Sequence, residues 1–255
     1  MEDSSKFAIH EAAREGKCKY PSTPLSLKRL ISLARKLDSV VESLLDINPK
    51  LANRRDDDER LPIHWAVSNG HLDIAVLLSS VKDFDPDVQD GVGWTPLMIA
   101  VSLKDREDLV DLFLQKGADV NAKNFSNQNA LHFVASKNNL DVAKKLLAQK
   151  PKASTRQKDK RGQYPIHRAA AVGSVPIVEL LLKNSSPLNT ADNAGQTPLH
   201  HAVAEGHGDA AVALLKAGAE IDKRDVDGYL ALDLAPDKQV LKFIQQSAER
   251  EGIEL

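Results

Sequence analysis

One phrase recurs seven times along this chain, and a chain that repeats itself folds one repeat at a time. The variants are FAIHEAAREG, LPIHWAVSNG, TPLMIAVSLK, NALHFVASKN, YPIHRAAAVG, TPLHHAVAEG and LALDLAPDKQ. Their aligned fourth positions are His10, His64, Met98, His132, His167, His200 and Asp233. Subtracting successive residue numbers gives separations of 54, 34, 34, 35, 33 and 33. Five separations lie at one period, and the first exceeds it by 54 − 33 = 21, which marks a single insertion.

Each phrase reads as a physical unit. In TPLHHAVAEG, Thr197 suits a helix N-cap and Pro198 the first helical turn, where its missing N–H costs nothing. Ala202, Val203 and Ala204 are small enough for close helix packing. Gly206 ends this inner helix, HGDAAVALL supplies a second, and Gly218 suits the left-handed residue behind it. The polar stretch IDKRDVDG then crosses to the next repeat as a finger and turn. Neither helix buries its apolar face alone, so neighbours must stack. A helix–turn–helix unit of about 33 residues is the ankyrin period. The expected fold is therefore an all-α ankyrin-repeat solenoid of about seven repeats with short β-hairpin fingers, one domain over 1–255. Repeat bounds fall near 1–55, 56–89, 90–123, 124–158, 159–191, 192–224 and 225–255.

The ends should differ from the middle, because one face of each meets water. In the last repeat Asp233 replaces the histidine, Pro236 cuts the inner helix short, and KQVLKFIQQSAEREGIEL offers a capping helix with Val240, Leu241, Phe243 and Ile244 inward. The insertion occupies roughly 17–37. Pro21 and Pro24 read as a loop, and Leu27, Leu30, Ile31, Leu33, Ala34 and Leu37 as a helical stripe. It is read as a helix shielding the N-terminal cap; the alternative is an accessory contact surface carrying Lys28, Arg29, Arg35 and Lys36.

Charge and composition narrow the partner class. With 34 basic and 36 acidic residues the net charge is −2, which points away from nucleic acid and anionic membrane as main partners. Aromatics at 4% are too few to stack single-stranded bases. Cys18 is the lone cysteine, so an intramolecular disulfide and a thiolate metal cluster are both excluded. No apolar leader or long apolar run is seen, and the expected location is cytoplasm and nucleus.

Five of the eight histidines hold one repeat position, where the expected role is a hydrogen bond to the adjoining turn. His71 and His207 share a second position, and His201 alone is off the pattern. Asp56, Asp57, Asp58 and Glu59 form an acidic run at a finger tip, read as a solvated turn rather than a cation site. No nucleophile–base pair, phosphate-cradling loop or zinc spacing is present, so no enzyme, metal or cofactor is expected.

Binding information then lies at the positions not committed to packing. Counting from the repeated histidine, these are seven, six and four before it, and four and five after. They include Asp57, Asp58, Arg60, Ser68 and Asn69 in the second repeat, and Gly91, Val92, Trp94, Ser102 and Leu103 in the third. The fourth to sixth contribute Phe125, Gln128, Lys137, Lys160, Arg161, Gln163, Gln196 and Glu205, among others. Apolar Trp94 and Phe125 flanked by charges match the anatomy of a protein interface, with Trp94 as a candidate anchor.

ANRRDDDERLPIHWAVSNGH, DGVGWTPLMIA, FVASKNN, HRAAAVGS and HAVAEGHGDAAVALLKAGAE carry a more specific likeness. Together with the repeat number they resemble the gankyrin family, ankyrin-repeat chaperones of the proteasome regulatory particle. The resemblance implies binding, through the concave face, of the C-terminal domain of one ATPase subunit of the regulatory-particle base during assembly. It implies that Arg60 and Lys137 pair with acidic residues of that subunit, and that Asp58 and Glu205 answer its arginines. The free protein is expected to be a monomer, with Arg60 and Lys137 solvated. The insertion departs from the family pattern, and HAVAE lacks the cysteine of the animal proteins' retinoblastoma-pocket motif. The rival reading is a generic ankyrin adaptor or inhibitor of another folded protein.

Overall fold

Short helices dominate the computed structural model, which describes residues 8–14 and 40–255; the insertion at 17–37 lies outside them. Inner helices are α1 (Ala8–Arg14), α3 (Pro62–Ser68), α5 (Pro96–Ser102), α7 (Ala130–Lys137), α9 (Pro165–Ala171) and α11 (Pro198–Ala204). Outer helices are α2 (helical over 40–47), α4 (Leu72–Leu78), α6 (Glu107–Gln115), α8 (Leu140–Leu147), α10 (Val175–Lys183) and α12 (Gly208–Lys216). A 3-10 turn (Ala231–Leu234) and α13 (Lys238–Arg250) finish the chain. Seven to nine residues is too short for a helix to persist alone in water, so stacking supplies the stability.

Chain contacts divide the molecule into two compact units, Met1–Asn124 and Phe125–Leu255. In the first unit Ile63, Ile74, Leu78, Leu97, Leu109 and Phe113 are almost fully buried. Leu131, Leu146, Ile166, Ile177, Leu181 and Leu199 do the same in the second. Small residues bring the inner helices close: Ala66, Ala169 and Ala202 expose no surface. Proline opens four of these helices, and left-handed glycine closes several. Gly173 is a tight case. At φ 70 its Cβ would lie 2.6 Å from the His207 ring, so the next repeat's imidazole seats only on a bare backbone.

The fingers are tighter than hairpins. Five of them close through one aspartate each, and strand-type pairing among the described residues is confined to an isolated bridge between Arg224 and Leu230. At the C-terminal end the 3-10 turn stops before Pro236 and α13 caps the stack, burying Ile244 and Ala248. Phe243, expected inward, is 43% exposed; its ring lies across Gly208, whose missing side chain makes room for it.

Candidate functional site

Eight residues before the repeated histidine stands an acid or its amide: Asp56, Asp90, Asn124, Asp159, Asp192 and Asp225. Oδ1 of each aspartate accepts two N–H groups of its own finger. For Asp90 these are Val92 (3.0 Å) and Trp94 (2.9 Å), and for Asp159 they are Arg161 (2.9 Å) and Gln163 (2.8 Å). A carboxylate thereby does locally what a strand pair would otherwise do. Neighbouring fingers join by backbone bonds such as Gly91 N–H to Asp58 O (3.2 Å) and Asn193 N–H to Arg161 O (2.9 Å).

Oδ2 remains, and two positions compete for it. One is the residue four before the histidine in the preceding repeat. Arg60 Nε reaches Asp90 at 3.2 Å, Gln163 Nε2 reaches Asp192 at 2.8 Å, and Gln128 and Gln196 make longer contacts to Asp159 and Asp225. The other is the residue after the histidine in the same repeat. Trp65 Nε1 donates to Asp56 at 2.6 Å, Arg168 Nη2 to Asp159 at 3.0 Å, and His201 Nε2 to Asp192 at 3.0 Å. Within each unit a polar ladder thus runs along the fingers.

This ladder corrects one expectation. Arg60 is not a solvated cation: its side chain is 24% exposed, pairs with Asp90 (1% exposed), and lies with its guanidinium 4.7 Å over the Trp65 ring. Position minus four is largely structural, because its side chain must satisfy the next finger's carboxylate. Asp58 is exposed at the tip, with its N–H on Asp56. Trp94 is half-buried, and its main chain closes the Asp90 turn. These three belong to the first unit. The other candidates belong to the second: Phe125 is 57% exposed, Lys137 is exposed at the end of α7 with no ion pair among the described residues, and Glu205 is exposed just after α11.

The histidine row serves register. A backbone N–H donates to Nδ1 from three residues earlier: Leu61 to His64 (3.0 Å), Asn129 to His132 (3.2 Å), Tyr164 to His167 (3.1 Å) and Thr197 to His200 (3.2 Å). That places the ring proton on Nε2, which donates to a carbonyl of the next finger or of the stretch leading into it. The acceptors are Arg60 for His10, Val88 for His64, Gln163 for His132, Thr190 for His167 and Tyr229 for His200. Burial favours the neutral ring in the last four. It lowers the pKa of His132 to about 4, and of His167, aided by the neighbouring His201, to about 4; His64 and His200 are lowered as well. Asp192 is lowered despite burial, because Gln163, His201 and two backbone N–H groups hold its anion.

A cleft of ≈ 250 Å³ in the first unit is lined by His10, Glu11, Arg14, Trp65 and the three aspartates Asp56, Asp57 and Asp58. Among the described residues no three or more histidine, cysteine, aspartate or glutamate side chains gather to hold a metal ion. No described helix is long and apolar enough to cross a membrane.

Comparison with known proteins agrees with this repeat architecture. The family model "Ankyrin repeats (3 copies)" matches residues 30–124 and 126–225. The chain is 37% identical to the ankyrin repeat-containing protein C6C3.08 of Schizosaccharomyces pombe, over 86% of this chain and 94% of that one. It is 41% identical to the probable 26S proteasome regulatory subunit p28 of Saccharomyces cerevisiae, over 55% of this chain and 62% of that protein. Inversin of Gallus gallus matches at 37% over 49% of this chain and 11% of its own length. The crystal structure of the ankyrin repeat domain of Bcl-3 superposes with a TM-score of 0.67 at 20% identity, covering 93% of this chain and 97% of that one.

Proposed function

Because the chain belongs to the ankyrin-repeat family, we propose that it is a non-catalytic binding protein that chaperones assembly of the proteasome regulatory-particle base. Its partner on this reading is the C-terminal domain of one ATPase subunit, bound through the finger tips and the exposed ends of the inner helices. The observation that carries the proposal is the 41% identity to the proteasome regulatory subunit p28, read together with the resemblance to the gankyrin family. Side-chain chemistry supports it. The repeated histidines are spent on backbone, whereas Asp58, Phe125, Lys137 and Glu205 remain exposed for a partner. Arg60 offers a further, partly sheltered cation. The protein acts as a monomer without a cofactor, in cytoplasm and nucleus, where its partner assembles.

Isothermal titration against the purified C-terminal domain of each base ATPase tests this directly. One domain should bind and the others not, and loss of binding on Lys137→Glu should be rescued by reversing a partner acid. If none binds, the chaperone reading falls. The likeness to inversin favours a second reading, an adaptor for another folded protein; purification from cells that recovers neither base nor ATPase subunits supports that one instead.

A further inference from the structure

We infer that Asp90 and Trp65 are positioning residues for Arg60, holding its guanidinium so that Nη1 and Nη2 stand ready as a two-pronged donor for a carboxylate on the protein partner. The inference rests on the binding role just proposed and adds what makes Arg60 effective in it.

Arg60 uses its donors unlike Arg55 and Arg106 of the same unit. Arg55 spends Nη1 on the carbonyls of Glu59 and Gln89. Arg106 gives Nε and Nη2 to Asp108 and Nη1 to the Gly70 carbonyl. Arg60 gives only Nε, at 3.2 Å to Asp90 Oδ2, and neither of its Nη groups has a partner among the described residues. Those two nitrogens form the fork that matches a carboxylate.

Both supports are themselves fixed. Asp90 has a 1% exposed side chain whose other oxygen accepts from Val92 and Trp94. Trp65 presents its ring 4.7 Å from the guanidinium, and its own N–H is tied at 2.6 Å to Asp56. Asp56 in turn accepts the backbone N–H of Arg60 at 2.9 Å. One face of the guanidinium is thus held by α3 and one edge by the third finger, leaving the outer edge to a ligand.

Holding has a cost and a gain. Asp90 cancels the positive charge at range, so it does not speed encounter with an acidic partner. It removes the ordering entropy that an unrestrained arginine gives up on binding, so bound complexes last longer. Asp90 therefore acts on dissociation rather than association.

Asp90→Asn is the discriminating variant. Asparagine keeps the oxygen that closes the finger, as Asn124 stands in the same slot of the fourth finger, but cannot offer Arg60 a carboxylate. Against the ATPase domain, dissociation should quicken about tenfold while association is no slower. In an Arg60→Ala background the same change should alter dissociation less than about twofold. An equal effect in both backgrounds, or none in either, overturns the inference. If Arg60→Ala alone binds as wild type, both this inference and the placement of the binding face fall. A partner-free measurement decides the positioning even if no ATPase domain binds. The Arg60 Nε–Hε order parameter should be near the rigid value of about 0.85 in the wild type and below about 0.6 in Asp90→Asn. A mobile Nε–Hε in the wild type overturns the inference outright.

Discussion

The two units solve one electrostatic problem with opposite choices. Each buries finger carboxylates, and a buried carboxylate needs a donor for the oxygen its own turn leaves over. In the first unit the cation comes from the preceding repeat, as Arg60 reaches forward to Asp90, and the residue after the histidine is the aromatic Trp65. In the second the preceding repeats supply neutral glutamines. The cation or imidazole comes instead from beside the histidine, as Arg168 on Asp159 and His201 on Asp192. The constant requirement is a satisfied carboxylate; which slot meets it is free. The slot left over is then available for other work, and the first unit has placed an arginine fork where the second has amides.

Acid should separate the units most strongly. His132 and His167 have folded pKa values of about 4 against 6.5 unfolded, so the fold holds them neutral. Their contribution is complete above pH 6.5 and is lost as pH falls toward 4, because the unfolded chain binds the protons first. The loss at pH 4 is roughly 3 kcal/mol for each ring. Asp192, whose depressed pKa matters only below its ordinary value of 3.8, does not contribute in that window. Amide exchange at pH 7 and pH 5 should show α7 and α9 losing protection well ahead of α3 and α5. Equal loss in both units would mean that the second unit's histidine row is not the acid-sensitive element.

Next in size is Asp159→Ala. It strands the Arg168 guanidinium and two finger N–H groups around a position 2% exposed. Removing one member of such a pair costs about 3–5 kcal/mol. Asp159→Asn, which retains Oδ1 but breaks the same ion pair, should recover only the part that belongs to the finger turn, and urea unfolding measures both. A loss no larger for alanine than for asparagine would show that the ion pair, and not the finger turn, carries the energy.

The repeat itself was legible in the sequence because packing imposes it every 33 residues or so: the histidine row, the opening prolines and the closing glycines all fall where the period places them. The ladder was not. Its carboxylates recur at the same period, Asp56 through Asp225, and that signal was available. It passed unnoticed because surface aspartate in a turn is common, and because Asp56 sits in an acidic run that hides it among Asp57, Asp58 and Glu59. The partners of Oδ2 vary in residue type, so no motif marks them; only the fold brings Arg60 across 30 residues to Asp90. Phe243 eluded the pattern for a related reason: a helical stripe gives the face of α13, not the bare Gly208 beneath one edge of it.

Alanine at the two charged candidates sharpens the same contrast at a smaller scale. Arg60→Ala leaves Asp90 buried with only its finger N–H groups, and should destabilise the free protein by about 1–3 kcal/mol. Lys137→Ala removes an exposed cation without an ion pair among the described residues and should change stability by less than about 0.5 kcal/mol. Thermal melts of the two variants at neutral pH check the pair. Equal and negligible effects would return Arg60 to the solvated state first expected for it.

The smallest effect concerns one residue of backbone. Fourth in each finger comes a left-handed position, held by glycine at Gly93, Gly162, Gly195 and Gly228 and by Asn127 at φ 59. In the second finger it is Glu59, at φ 55, where a β-carbon crowds the following carbonyl at a cost of about 1 kcal/mol or slightly more. What glutamate returns is slight. Its contact with Arg55 is 3.6 Å long, with both side chains well exposed, and such pairs contribute near the bottom of the range of about 0–1 kcal/mol. The Arg55 bonds that matter run to the carbonyls of Glu59 and Gln89, which survive any side chain at position 59. Glycine relieves the crowding but gives back part of the gain, about 0.4–1 kcal/mol, through a freer unfolded chain. Asparagine tolerates the left-handed region and avoids that loss. Glu59→Gly should therefore stabilise by roughly 0.5 kcal/mol or less, and Glu59→Asn by at least as much. Urea midpoints at unchanged m-value measure both. Should both variants prove less stable than the wild type, Glu59 is retained for its carboxylate, and the second finger is held by charge where the others are held by conformation.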